Sequence, residues 1–344
     1  VQRWLGQDDL DDYLTGCHVL GGGGGGSPWF LRPALLGRSW PVTVRGLDEL
    51  PAETVCVAVG MGGSTMVMTE RLPPLRPFDG VIAAIEHWTR KPAEAVCTAE
   101  IGGLNGGSAL LAGEGLALLD ADLMGRALPD VDQFGPLVDG VPGVVLACAT
   151  GGEGVMTVTD ARPEDAEFLL RHAFECAGGW AAMAIGGLTV GDLREHAVPG
   201  SVSRALELGR AGRRVFEAGD DPRALAEGLG GELIGTGRVH AVAHEAGSRR
   251  ATVTIDTDAG EVLRVIAASE YLVAQVDGRV VAQAPDVIAL AAHPSWEVLA
   301  PDAVSRGQTV VVMRLPAPEF WRRADRAHAV GSARYRLGLA GGAA

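Results

Sequence analysis

Asp120-Ala121-Asp122 puts two carboxylates two residues apart where a predicted strand ends, so both face one side. Such a pair can hold a divalent metal ion, with Glu100 as a third oxygen ligand. It can also hold Arg126 in a charge-assisted fork. Without a histidine cluster at ligand spacing, residue types do not choose between the two. Glu100 itself opens the stretch EIGGLNGG, Glu100 to Gly107. A carboxylate at a strand end, followed by glycines and Asn105, suits a site at the carboxyl edge of a sheet. The plain alternative is a turn in which Asn105 and the glycines do local work.

The second concentration of chemistry is six consecutive glycines, Gly21 to Gly26, followed by Ser27-Pro28. A phosphate loop needs a Lys-Ser/Thr pair after its last glycine, whereas Ser27-Pro28 follows here and Lys91 is the only lysine. A dinucleotide fingerprint needs a strand before it, and a helix is predicted there. No nucleotide cofactor is expected. Glycine costs chain entropy, so six inside a folded domain call for a reason. Bare N–H groups curled beside a helix start at Ser27 make a cradle for an anion or a carbonyl oxygen. Close packing against another stretch of backbone is the alternative. Cys17 and His18 precede the run, but neighbours on a helix point apart, which argues against a nucleophile pair. His240 and His244 fall in a predicted strand without the usual order of a zinc site, and read as a surface or core pair. Glu270 and Asp286 are acids in a strand-rich context, where a solvent-side Glu and a turn-tethering Asp are the plain reading.

The elements that must position these residues divide into two kinds. Asp8 to Leu20 has helical spacing, with Leu10, Leu14 and Cys17 on one face. Strands are predicted at Pro41 to Val44, Thr54 to Val59, Ala95 to Ala99, Leu116 to Leu119, Val144 to Cys148 and Val155 to Thr159. Helices are predicted at Phe78 to Arg90, Gly107 to Gly115, Pro163 to Cys176 and Ser201 to Ala218. From about Gly235 the chain turns to alternating Val, Ile and Thr with turns at Asp258-Ala259-Gly260 and Asp277-Gly278. The expected architecture is an α/β domain over 1–165, then a helical connector and a β-rich domain over 166–344, α+β overall.

Composition narrows the function classes. The 344 residues are 47% hydrophobic and 21% charged, which is globular. A net charge of -14 argues against a nucleic-acid partner. Five dispersed cysteines without a CxxC pair fit a reducing compartment, and no apolar run reaches membrane-spanning length. A cytoplasmic protein acting on a small molecule is expected, with a homo-oligomer left open.

Taken in order, GCHVLGGGGGGSP, AEIGGLNGG, LLDADLMGRALPD and SEYLVAQVDGRVVAQAPDVI resemble the S-methyl-thiohydantoin desulfurase family over nearly the whole chain. The resemblance implies a two-domain protein with its site near the domain interface. It implies hydrolysis: water adds to the S-methyl amidine carbon of a five-membered ring, methanethiol leaves and a hydantoin results. Carried over residue by residue, it implies Glu100, Asp120, Asp122 and Arg126 as catalytic groups. It implies Gly22, Gly23, Gly24, Gly25, Ser27, Asn105 and Glu270 as substrate-binding groups, with Asp286 a further match. The metal remains open, with Asp120, Asp122 and Glu100 as its candidate ligands. The alternatives are a metal-dependent, hydantoinase-like cyclic amidohydrolase and a silent ligand-binding module on the same scaffold. The chain departs from the family pattern at Gly22, where a Thr is usual, at Ser27, where an acid is usual, and at Ser269, where an Asn is usual.

Overall fold

The computed structural model describes residues 4–337, except 72, 114, 220, 247 and 336. Its first sheet is formed by β1 (Trp4–Leu5), β2 (Val42–Arg45), β3 (Val55–Gly63), β4 (Ala95–Thr98), β5 (Ala117–Asp122), β6 (Val145–Ala149), β7 (Val155–Thr159), β8 (Trp180–Thr189) and β9 (Val198–Pro199). Along the sheet the order is β1-β2-β5-β4-β3-β8-β6-β7, with β9 paired to β5. The central strands β2, β5, β4 and β3 are parallel, so their carboxyl ends share one edge. Helices cover this sheet, as a parallel core requires. The longer ones are α1 (Leu10–Gly21), α2 (Asp79–Thr89), α3 (Pro163–Cys176) and α4 (Ser201–Ala218).

The second sheet is antiparallel and contains β10 (Glu232–His244), β11 (Arg250–Thr257), β12 (Val262–Ala268), β13 (Glu270–Val276), β14 (Arg279–Gln283), β15 (Val287–Ala292) and β16 (Thr309–Leu315). Its order is β14-β13-β12-β11-β10-β16-β15, and β13 also touches β15, so the sheet curls. Alternation along β15 explains how the halves join. Ile288 and Leu290 face the interior of the curl. Val287, Ala289 and Ala291 face the other way, into the large cluster that holds α1 and the first sheet. The chain is therefore an α/β part followed by a strand-rich part.

Two local features were not legible beforehand. β8 runs through WAAMAIGGLT, half of it Ala and Gly, which are poor strand formers. It is nevertheless a central strand, paired to β3 and β6. The first sheet thus takes β8 and β9 from beyond residue 165. The helix expected over Gly107 to Gly115 is instead a 3-10 run, Gly103–Leu111, lying against α1. The Tyr13 hydroxyl donates to Gly106 O at 2.6 Å.

α1 and α4 cross at two glycines. A Cβ on Gly16 would overlap the carbonyl of Ala205, and one on Gly209 the carbonyl of Asp12. Backbone cannot retreat as a flexible side chain can, so Gly209→Ala is expected to destabilise the protein by about 3 kcal/mol. A urea unfolding curve measures it; an unchanged midpoint would show that the helices separate freely.

Candidate functional site

α1 delivers the glycine run. Gly22 closes the helix in the left-handed region, its N–H donating to Val19 O at 3.1 Å. Beyond it the run threads between the two sheets and is gripped by its carbonyls. Tyr271 N–H donates to Gly22 O at 3.1 Å, and Leu104 N–H to Gly25 O at 2.9 Å and Gly26 O at 3.1 Å. Among the described residues, the N–H groups of Gly23, Gly25 and Gly26 meet no acceptor.

Three charged side chains press against this backbone. A Cβ on Gly22 would stand 3.2 Å from Arg126 Nη2, and one on Gly25 2.9 Å from Glu100 Oε1. One on Gly24 would overlap Glu270. Gly24 is bare because Glu270 needs the room; Cβ atoms on Gly22 and Gly25 would also meet the carbonyls of Ile288 at 3.0 Å and Gly102 at 2.8 Å. Glu100 follows β4 and Arg126 follows β5, at the carboxyl ends of adjacent parallel strands. Glu270 opens β13 on the other sheet, behind Ser269 at φ 82. The left-handed region suits Asn better than Ser, so Ser269 holds this turn at a cost in strain. Glu100, Arg126 and Glu270 are 7%, 0% and 3% exposed. Each has one buried atom without a hydrogen-bond partner: Glu100 Oε1, Arg126 Nη2 and Glu270 Oε2.

Electrostatics follow from that burial. Desolvation pushes the Glu270 carboxyl up to about 7, against the pull of Arg126 and Arg249. Burial, then the charges of Glu270 and Asp122, hold Glu100 well above the usual carboxylate range. Burial lowers Arg126, while Glu270 and Glu100 oppose the shift. Arg126 also ties the halves together: Nε donates to Ala127 O at 2.9 Å, and Nη1 to the carbonyls of Pro285 and Asp286.

The remaining sequence candidates have other company. Asp122 Oδ2 accepts from the N–H groups of Ile101 (2.9 Å), Met124 (3.1 Å) and Gly125 (2.7 Å), so it shapes the loops carrying Glu100 and Arg126. Burial, outweighing these bonds, pushes it up to about 7. Asp120 accepts from Ser203 N at 3.0 Å and Ser203 Oγ at 2.6 Å, fastening the first turn of α4. Asn105 exchanges both amide bonds with the Met61 backbone, at 2.7 and 2.9 Å. Ser27 is exposed and precedes a short 3-10 turn, Pro28–Phe30, without a side-chain cap bond. Asp286 Oδ1 accepts from Ala317 N at 2.8 Å, tethering the turn before β15. His18 is held down to about 4 by burial, and His240 lies at the surface against Asp256.

The donor set does not gather for a metal ion. Both oxygens of Asp120 are spent on Ser203, and Oδ2 of Asp122 on loop N–H groups, while Asp122 Oδ1 is buried without a partner. Among the described residues, no three His, Cys, Asp or Glu side chains are grouped as metal ligands. Three site-side residues gave no usable sequence signal. Arg249 Nη2 donates to Asp130 Oδ1 at 2.9 Å, and Gln133 Nε2 donates to the Tyr335 hydroxyl at 2.6 Å. Arg249 and Tyr335 come close enough to Glu270 for its charge to act on them, from segments far along the chain from the site's motifs.

The sequence model of the S-Me-THD-like N-terminal domain matches residues 8–160, and that of the S-Me-THD-like C-terminal domain matches residues 161–338. The chain belongs to the S-Me-THD-like family. A similar fold is seen in a crystal structure of a protein from Chromobacterium violaceum. The two share 23% identity over 99% of each chain, with a TM-score of 0.83, a likeness of fold. No curated protein matches this S-Me-THD-like chain. No helix among its described residues is long and apolar enough to cross a membrane.

Proposed function

We propose that the protein hydrolyses a small five-membered cyclic thioimidate of the S-methyl-thiohydantoin type, releasing a thiol and leaving a hydantoin. The observation that carries this reading is the glycine-walled group of Glu100, Glu270 and Arg126, each with an unpartnered buried atom. Family membership supports the substrate class.

Glu270, with its carboxyl near 7, is poised to take a proton from water at neutral pH. The water oxygen bonds to the amidine carbon. Glu100, whose hold on its proton burial strengthens, gives that proton to the ring nitrogen that gains electrons. Collapse of the tetrahedral centre breaks the carbon–sulfur bond, and the sulfur leaves with the proton held by Glu270. The second proton of the water returns Glu100 to its acid form. Arg126 Nη2 and the free N–H groups of Gly23, Gly25 and Gly26 supply fixed positive charge and donors for an oxygen of the ring. Asp122 holds the loops that carry Glu100 and Arg126.

Thiol release from S-methyl-thiohydantoin, followed with a thiol-reactive dye, is the test. Stoichiometric thiol and hydantoin are expected. No release, together with a rise in melting temperature on adding hydantoin, would leave a binding module instead.

A further inference from the structure

The turn Ser332–Tyr335 is pinned across both halves of the chain. Ser332 Oγ donates to Gln283 Oε1 at 2.6 Å, and Arg250 Nη2 to Tyr335 O at 2.7 Å, on the strand-rich side. Arg334 Nη2 reaches Asp132 at 2.6 and 2.7 Å, on the α/β side. This places the Tyr335 ring against the cluster of Ala268, Leu272, Val273 and Ala284. Ala268 is paired with Glu270 across β12 and β13, and Leu272 shares its strand face. Ala284 is followed by Pro285 and Asp286, whose carbonyls accept from Arg126.

The polarity of the Tyr335 hydroxyl is fixed from one side. Gln133 is fully buried and spends its amide completely: Oε1 accepts from Asp130 N at 3.0 Å, and Nε2 donates to Ala329 O at 3.0 Å and to Tyr335. The Tyr335 oxygen is therefore an acceptor toward Gln133, and its own hydrogen is left to give. Among the described residues no acceptor takes it, although Glu270 and Arg126 are close enough to act on its charge. Tyr335 is half-buried, while Glu100, Arg126 and Glu270 lie deeper.

We propose that Tyr335 is a substrate-contacting residue at the mouth of the site, its hydroxyl hydrogen donated to a carbonyl oxygen of the ring. Gln133 is the positioning residue that aims it. The assignment rests on the hydrolase reading above. It adds a donor that selects five-membered rings bearing a carbonyl.

Tyr335→Phe, Gln133→Leu and the double variant, assayed on S-methyl-thiohydantoin, test it. Tyr335→Phe is expected to lower kcat/KM about tenfold and Gln133→Leu about threefold, the scale of one neutral hydrogen bond. Because Gln133 acts through the hydroxyl, Gln133→Leu costs nothing further in the Tyr335→Phe background. Unchanged kcat/KM in Tyr335→Phe, or additive losses, overturns the assignment while leaving the hydrolase reading intact. If Tyr335→Phe does not fold, Gln133→Leu alone decides by the same measure. A wild-type protein that neither releases thiol nor binds hydantoin overturns both.

Discussion

Glu270→Gln is expected to reduce turnover of S-methyl-thiohydantoin by a factor of about 100 to 10,000, the range of a lost general base. The amide fills the space of the carboxyl, so the strand start and the contact with Gly24 remain. What disappears is a proton acceptor with its midpoint near 7. In the wild-type protein, kcat/KM rises with pH through that region. Glu100 and Glu270 act on each other, so the profile belongs to the pair.

The same substitution has a signature in stability. The Glu270 carboxyl titrates from 4.5 in a free chain to about 7 in the fold. Between those values the folded protein holds a proton that the unfolded chain has released. The stability contribution is complete below the lower value and is lost as pH rises through the upper one. On the order of 3 kcal/mol is at stake. Glu270→Gln cannot lose that proton, so its melting temperature falls less steeply than the wild type between about pH 5 and pH 8. Parallel melting curves for the two proteins would remove Glu270 from the buried titrating group. Equal turnover would remove it from the mechanism.

Much of this arrangement was legible in the sequence, for identifiable reasons. β3, β4 and β5 are short apolar runs, and each ends where a polar or glycine-rich motif begins. That is why Glu100 and Arg126 fall at one sheet edge. Asp120 and Asp122 were legible as a pair on one strand. The partner of Asp120 was not, because Ser203 lies on a helix 83 residues away. Period-2 alternation marked the second sheet from β10 onward, but β8 carries no such pattern. Glu270 looked solvent-facing from its hairpin context. Its burial comes from the glycine run of the other half, a contact no local pattern encodes.

The glycine run yields the second large effect, because its members are bare for different reasons. Gly23 has φ 82, and a Cβ there would overlap the Tyr271 ring and stand 2.8 Å from Leu299 O. Tyr271 cannot turn away, since its hydroxyl donates to Leu299 O at 3.0 Å and its ring is fully buried. Gly23→Ala therefore combines left-handed strain with a clash, and a loss of about 4 kcal/mol is expected. Gly24 has no such backbone constraint; the atoms its Cβ would meet are Cγ, Cδ and Oε1 of Glu270, the side chain itself. Gly24→Ala is expected to displace that carboxyl, cutting turnover about a hundredfold with a smaller loss of stability. Urea curves and thiol release measured on the two variants separate the cases. A spacer would tolerate both changes alike. A wall built around Glu270 responds to Gly23→Ala in the fold and to Gly24→Ala in the chemistry, because one glycine accommodates a tyrosine and the next a carboxylate.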